Sequence, residues 1–336
     1  MKTYIERMRP TLAILENVPD LVQDVQLQDG SIINNLQFIV DDMEAMGMTA
    51  FTTVLDRADY GSSVDGRRLF IVIFDLQPDV GKKFERRFHS ILEELRLPDR
   101  VPVHRSLLDE GNPLLSSQAR EAMAVARDLP KWKDVHEAAF LGLSLTWPPA
   151  TLEHDISGLR DFREREAEVV WAANRLFPGT PHEDGVTKKY GFFDANLTFE
   201  RVFRWPPKPG SQLANPWQES VPCPSGNSVM VMRVLAPSGA VTIRRLHGVE
   251  IMGMQGWDIS FWQGDEIERI ARQGCKGSDF TARLAGKMWN MAHVIPVMIA
   301  TLGSVPLEEA LQENEQHNMD DGDEGSAADE TVSESD

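Results

Sequence analysis

The stretch Thr11-Leu12-Ala13-Ile14-Leu15, followed directly by Glu16-Asn17-Val18, decides how the first part of this chain folds. A short, continuous apolar run between Pro10 and Pro19 is typical of a strand that is buried on both faces. In an open α/β sheet, ligands bind where the strands end, and Glu16 lies at that point. The sequence therefore predicts a buried strand that carries a carboxylate to a binding edge. A solvent-exposed glutamate at a strand end is the alternative.

The residues after this strand alternate between helix and strand patterns. Apolar residues at three- and four-residue steps predict a helix over 32–46, with Ser31 as its N-cap and Gly47 after its last turn. Runs rich in Thr, Phe, Val and Ile predict strands over 48–55 and 68–74. Strand, helix, strand, strand is typical of an α/β layer, and we expect a mostly parallel sheet with an antiparallel edge.

Regular patterns are sparser between residue 81 and about residue 240. After Phe177 this part is rich in Pro, Gly and aromatic residues, a composition typical of a recognition insert. The other predicted elements are helices over 82–95, 116–128 and 159–176, a strand over 228–235, and a helical region over 280–302 that is interrupted near Pro296.

The negative charge of the chain is concentrated at its end. The formal net charge is −18, and residues 307–336 contain twelve Asp or Glu and no Lys or Arg, so subtracting these twelve charges leaves −6 for residues 1–306. A segment so acidic and so poor in apolar residues cannot bury apolar surface, and we expect a disordered acidic tail over 305–336. The remainder is mildly acidic, which leaves room for a local basic face.

Several classes of protein are excluded by composition. No apolar run reaches the ~18–20 residues of a membrane span, and the N-terminus lacks the apolar core of a secretory signal. Two cysteines, Cys223 and Cys275, exclude a disulfide framework and a four-cysteine zinc site. We therefore expect an intracellular protein, nuclear if its source is eukaryotic, with no membrane partner and no metal.

Three blocks of the chain resemble the cytosine-5 DNA methyltransferases, in the order in which that family carries them. In the family, a strand ending in Glu-Asn-Val is followed by a helix, a strand, a Tyr-Gly loop and an Arg-bearing strand. The counterparts are Glu16-Asn17-Val18, the helix from Ile32, Asp59-Tyr60-Gly61 and Gly66-Arg67-Arg68-Leu69-Phe70-Ile71-Val72. Residues 244–257 are similar to the segment that closes the recognition insert, and residues 284–291 to the last motif.

The resemblance implies a fold and a function. It implies a partial S-adenosylmethionine-dependent methyltransferase (Rossmann-like) sheet with an irregular target-recognition insert. The implied activity is methyl transfer from S-adenosylmethionine to carbon 5 of cytosine in DNA. The implied division is a C-terminal half of the catalytic core over 1–80, the insert over 81–240, a closing segment over 241–304 and the acidic tail over 305–336.

The chemistry of cytosine gives individual residues their expected roles. Carbon 5 becomes nucleophilic when a thiolate adds at carbon 6 and an acid held by an arginine polarises N3, with the base turned out of the helix. By resemblance, Glu16 is the acid and Arg68 the second family arginine, while the first falls on Gly66, with Arg67 as its steric substitute. A solvated pair of arginines is the alternative. Asn17 and Val18 are expected at the substrate.

The last motif and the insert supply further candidates. By resemblance, Gly286 and Lys287 lie at the cofactor, although Lys287 stands where the family has Asn and cannot accept a hydrogen bond. Basic residues interleaved with aromatic ones can neutralise phosphates and stack on bases, and a solvated charged face explains the same pattern about equally well. The DNA-binding candidates are Lys188, Lys189, Arg201 and Arg204.

The nucleophile of the family is the feature that this sequence does not match. The family's Pro-Cys loop and its glycine-rich methyl-donor loop come before Glu-Asn-Val, and fifteen residues precede Glu16. We therefore expect an upstream methyltransferase half as a partner; a truncated gene model, a split enzyme and a degenerate relative are all compatible. Cys223, after Pro222, has only Arg201 and Arg204 near it in sequence, which favours an inert loop cysteine over a replacement nucleophile.

Two other functions remain open from the sequence. One is a non-catalytic module that binds DNA or a catalytic partner through the insert. The other is an interaction protein whose acidic tail docks basic proteins such as histones.

Overall fold

The computed structural model describes residues 2–305 except 27, 31, 76–77, 110, 116–130, 147–161, 226, 259–274 and 288. The predicted N-cap Ser31, the predicted helix over 116–128 and residues 306–336 of the predicted tail lie outside the described residues.

The described elements form a mixed α/β structure. The strands are β1 (Leu12–Asn17), β2 (Asp24–Gln26), β3 (Ile32–Asn34), β4 (Thr49–Asp56), β5 (Arg67–Phe74), β6 (Lys189–Asp194), β7 (Met230–Leu235) and β8 (Val241–Arg245). The helices are α1 (Lys2–Met8), α2 (Asn35–Ala45), α3 (Pro78–Glu94), α4 (Lys131–Gly142), α5 (Glu164–Leu176), α6 (Phe199–Phe203), α7 (Gly248–Met254), α8 (Cys275–Lys287) and α9 (Met291–Ser304).

The first sheet has the strand order β1-β5-β4, and both of its pairings are antiparallel. The expectation of a mostly parallel, Rossmann-like sheet is therefore wrong for the described strands. Only ten residues connect β4 to β5, which is too short for a parallel crossover, so these two strands pair antiparallel as neighbours. Because β5 inserts between β1 and β4, it is the central strand, while β1 and β4 run parallel to each other at the two sides. The expectation that β1 is buried on both faces is therefore wrong: in this sheet of the described residues it is an edge strand, and its residues are half-buried up to Glu16.

Helices cover both faces of this sheet. On one face, Ile5 of α1 and Met43 of α2 pack with Ile71 and Ile73 of β5. On the other face, side chains of α3 and α9 pack against β4 and β5 in a larger core, whose members include Phe70, Val72, Phe84, Phe88 and Val297. The central strand is therefore buried on both faces, as its continuous apolar sequence predicts.

A second antiparallel sheet, β6-β7-β8, separates two further cores. Phe193 and Val231 face the core that includes α4, α5 and α6, whereas Phe192 and Met230 face the one that includes α7 and α8. Backbone hydrogen bonds join the loop before β5 to the loop before β7: Asp65 N donates to Val221 O at 2.8 Å and Val221 N donates to Ser63 O at 3.1 Å. These bonds bring Cys223 to the end of the first sheet.

The predicted elements that lie within the described residues are largely present, with shifted ends. The helix predicted over 32–46 begins at Asn35, because the side chain of Asn34 accepts hydrogen bonds from the backbone N–H groups of Leu36 and Gln37. The helical region predicted over 280–302 is not broken near Pro296, which lies inside α9. It is divided earlier, where the side chain of Asn290 caps the first turn of α9.

Candidate functional site

A polar cavity of about 280 Å³ lies at the carboxyl end of β1. Its walls come from the β1 end, from β5, and from the turn between α8 and α9. Of the eleven residues that the sequence predicts for substrate, cofactor or catalysis, six line this cavity: Glu16, Asn17, Val18, Arg68, Gly286 and Lys287. The fold therefore brings together two of the motifs that are about 270 residues apart in the sequence.

Glu16 and Arg68 form an ion pair because of their positions in the sheet. Glu16 lies opposite Phe70 in the antiparallel register, so Arg68, two residues before Phe70, is its diagonal neighbour on the same face. Nε of Arg68 lies 2.6 Å from Oε1 of Glu16, and both side chains are about one-quarter exposed. The pair fixes the direction of the carboxyl group at the cavity wall while leaving it open to a ligand.

Arg57 is a further charged residue in the cavity wall, and it is not among the residues predicted from the sequence. It opens the 3₁₀ turn Arg57–Tyr60 and is only 3 % exposed. Gly66 has φ of 144°, and a Cβ at this position would come within 3.1 Å of the Arg57 guanidinium. Because Gly66 has no side chain, the guanidinium of Arg57 fills the space beside it. Gly66 is also the position at which the resemblance places the first family arginine.

The opposite wall is formed by the start of α9, where the sequence analysis also named no residue. Trp289 is 53 % exposed and presents a large aromatic surface at the cavity. Asn290 and His293 are buried, and His293 packs edge-on against Phe70 with 5.9 Å between ring centroids. The signal for Trp289 and Asn290 was available, because both belong to the block at residues 284–291 that resembles the last family motif.

The cavity has a positive electrostatic character. Burial lowers the pKa of His293 to about 3, and the nearby cations Arg57 and Arg68 add to the shift. Burial likewise lowers the pKa of Arg57, with Arg68 acting in the same direction and Cys223 and Glu16 opposing it. A neutral imidazole, two guanidinium groups, the ammonium of Lys287 and one carboxylate therefore line the cavity, an arrangement suited to a planar polar group that both donates and accepts hydrogen bonds.

The other predicted residues lie elsewhere. Arg67 is exposed and is not among the described residues that line the cavity, so Arg57 and not Arg67 accompanies Arg68 there. Lys188 and Lys189 line a separate groove with His104 and Tyr190. The DNA-binding candidates Arg201 and Arg204 are exposed on α6 and at its end.

Cys223 lies closer to this site than its sequence neighbours indicate. Its sulfur accepts a hydrogen bond from Nη2 of Arg57 at 3.3 Å and lies 3.6 Å from Nη2 of Arg68. The side chain is exposed, and it is not one of the described residues that line the cavity. Its cationic environment comes from Arg68 of β5 and from Arg57 of the 3₁₀ turn before β5, and not from Arg201 and Arg204, which are nearer in sequence.

Other kinds of site are absent from the part of the chain that the structure describes. Within those residues, no three His, Cys, Asp or Glu side chains converge as metal ligands would. None of the described helices has the length and apolar character to cross a membrane. A mostly apolar cavity of about 290 Å³ lies between α7, α9 and the end of α3, but its lining carries no charged group.

Acidification should destabilise the fold through two buried histidines. The pKa of His293 is lowered to about 3 and that of His247 to about 4, both mainly by burial, from an ordinary value of 6.5. Both rings are neutral in the folded protein, whereas in the unfolded chain they take up a proton below pH 6.5. Their contribution to the free energy of unfolding is therefore complete above pH 6.5 and is lost as the pH falls toward the folded pKa values. At pH 5 we expect a loss of roughly 2 kcal/mol for each histidine.

Urea unfolding at pH 7.5 and pH 5 measures this loss. His293→Gln should lose less stability than the wild type between the two pH values. His104→Gln, at an exposed histidine, should follow the wild-type profile. A wild-type stability that is the same at both pH values would contradict the assignment of neutral buried rings.

The first part of the chain is similar to a known protein family. Residues 1–131 match the model of the C-5 cytosine-specific DNA methylase family. This range contains Glu16, Arg57 and Arg68, whereas the blocks at 244–257 and 284–291 lie outside it. No curated protein matches the chain.

Proposed function

We propose, on the premise that residues 1–131 belong to the C-5 cytosine-specific DNA methylase family, that the cavity beside Glu16 holds the target cytosine of DNA during methylation at carbon 5. The observation that carries this proposal is the pairing of Glu16 with Arg68 in a cavity that Trp289 also lines. A carboxyl group, a guanidinium and an aromatic face are the groups needed to bind the edge and the plane of a cytosine that has left the helix.

Each wall of the cavity has a distinct role in this proposal. The carboxyl group of Glu16 contacts N3 and the exocyclic amine, and Arg68 holds that carboxyl group in place. The exposed indole of Trp289 stacks on the base, an interaction that any base plane offers. Asn17 and Val18, at the mouth, contact the sugar or the neighbouring strand. The positive character from Arg57 compensates the negative charge that develops on the ring.

The phosphate backbone needs a basic surface outside the cavity. Lys188 and Lys189, in their groove, and the exposed Arg201 and Arg204 remain our candidates for this role. Lys287, which is exposed and lines the cavity, adds a further positive charge there.

The methyl donor does not fit this cavity. Methylases of the family use S-adenosylmethionine, whose sulfonium is a cation. Arg57, Arg68 and Lys287 outnumber the single carboxylate of Glu16 among the charged groups at the wall, so the cavity opposes a second cation. Gly286 and Lys287 line this cavity, so its charge gives no support to their predicted role at the cofactor, which stays a prediction.

The thiolate that adds to carbon 6 is also proposed to come from elsewhere. None of the described residues that line the cavity carries a thiol. We propose that a methyltransferase half bearing a Pro-Cys loop and a glycine-rich methyl-donor loop supplies both missing functions, either in the same polypeptide or as a second chain.

Covalent trapping tests this function. Duplex DNA containing 5-fluorocytosine is incubated with S-adenosylmethionine and the 336-residue chain, with or without a methylase fragment that carries the two loops. We expect no covalent complex with the chain alone and a complex when the fragment is added.

The other outcomes contradict this account in different ways. DNA binding that never leads to trapping with any such fragment would favour a non-catalytic binding module. Trapping by the chain alone would show that a thiol within these residues is the nucleophile, and Cys223→Ser would be the first variant to compare.

A further inference from the structure

We propose that Cys223 is a covalent-modification site: a thiolate, held by two guanidinium groups, that low-molecular-weight disulfides convert into a mixed disulfide. The proposal concerns the thiol itself and does not depend on the proposed function.

The contacts of the sulfur are the first support. Nη2 of Arg57 donates to Sγ of Cys223 at 3.3 Å, and Nη2 of Arg68 lies 3.6 Å from the same atom. The third contact is the carbonyl oxygen of Pro224 at 3.9 Å. Two cations at this range give the sulfur a positively charged, exposed environment, which is where reactive cysteines are found.

The burial of Arg57 is the second, independent support. The side chain is 3 % exposed, and its Nε is buried with no hydrogen-bond partner among the described residues. A buried cation is stable only when an anion compensates it. Glu16, a carboxylate that acts on Arg57 electrostatically, is already bound by Nε of Arg68, so the anion that we propose for Arg57 is a thiolate at Cys223, which Arg57 contacts directly.

The four side chains then form an alternating row of charges. Glu16 is followed by Arg68, Cys223 and Arg57, and a thiolate gives this row two negative and two positive members. Arg68 and Arg57 lie 155 and 166 residues before Cys223 in the sequence. The backbone hydrogen bonds between Val221 and the loop before β5 bring the sulfur to them.

Exposure makes the sulfur accessible to a reagent. Because Cys223 is exposed, a disulfide can approach it from solvent. The thiolate attacks one sulfur of the disulfide, a new S–S bond forms, and the original S–S bond breaks. The leaving thiol departs as a thiolate with the electron pair and takes a proton from water, so no other oxidant is needed.

Modification should also disturb the neighbouring cavity. A mixed disulfide carries no negative charge on the sulfur, so Arg57 loses the anion that it contacts and Arg68 retains only Glu16. We expect the modified protein to unfold more readily than the unmodified protein, because a buried charge is left uncompensated.

The test follows the release of thionitrobenzoate from 5,5′-dithiobis(2-nitrobenzoate) at pH 7. Cys275→Ser, in the full chain, leaves Cys223 as the single cysteine. We expect Cys223 to react roughly tenfold faster than free glutathione. Arg68→Gln should slow the reaction several-fold, whereas Arg67→Gln, at the exposed neighbour on the same strand, should leave the rate unchanged.

The variants also separate the outcomes. Arg57→Gln should slow the reaction more than Arg68→Gln does, provided that the Arg57→Gln protein folds. If that protein does not fold, Arg68→Gln alone decides the test. A Cys223 rate no faster than that of glutathione, or equal rates in Arg68→Gln and Arg67→Gln, would overturn the proposal.

Discussion

Replacing Glu250 by alanine is expected to lower the free energy of unfolding by about 3–5 kcal/mol. Glu250 is fully buried, and its two carboxylate oxygens accept from both terminal nitrogens of Arg244 at 2.6 and 2.7 Å. They also accept from the backbone N–H groups of His247 at 2.8 Å and Leu108 at 2.9 Å. One carboxylate therefore caps α7, holds the backbone that follows the 3₁₀ turn Val103–Ser106 and neutralises Arg244.

Denaturant unfolding of the full chain measures this loss. The matched control is Glu93→Ala, which removes an exposed carboxylate whose partner, Arg96, is half exposed. We expect the control to change stability by less than about 1 kcal/mol, as exposed pairs do. A Glu250→Ala protein as stable as the control would contradict the reading of Glu250 as the buried junction between the second sheet and α7.

Replacing Glu16 by glutamine is expected to reduce trapping of 5-fluorocytosine DNA by about 10²–10⁴-fold in rate when the two missing loops are supplied. The amide keeps the size of the side chain but is a far poorer proton source for N3. It also loses the ion pair with Arg68, so the group at the cavity wall is no longer held in one direction.

The control for this variant is Glu93→Gln, the same chemical change on the exposed surface of α3. It should trap at the wild-type rate. A Glu16→Gln protein that traps as fast as this control would show that the acid of the reaction lies elsewhere.

The local elements and half of the candidate site were predictable because their signals are local. The apolar run before Glu16, the β5 sequence and the block at residues 284–291 each carry a pattern within a few residues. The strand order was not predictable in this way. Periodicity identifies a strand but not its neighbour, and the insertion of β5 between β1 and β4 depends on which connections are long enough to cross the sheet.

The contacts of Arg57 and Cys223 depend on the fold at long range. Arg57 occupies its position because Gly66 lacks a side chain, a relation between two residues at opposite ends of a loop. Cys223 was predicted to be inert from the charges near it in sequence, whereas the two arginines that contact it are more than 150 residues away. Sequence proximity is a poor measure of the electrostatic environment wherever distant segments of a chain meet in the fold.

The measurement that tests the central claim most directly is the affinity of the 336-residue chain for an unpaired cytosine. Two duplexes are compared by fluorescence anisotropy: one has a cytosine opposite an abasic site, and the other has abasic sites at both positions. If the cavity at Glu16 holds the base, the wild type should prefer the first duplex by roughly tenfold or more, since a charged hydrogen bond contributes ~1.5–3 kcal/mol. Glu16→Ala should lose most of that preference. Equal affinity of the wild type for the two duplexes, or the same preference in Glu16→Ala, would contradict the account.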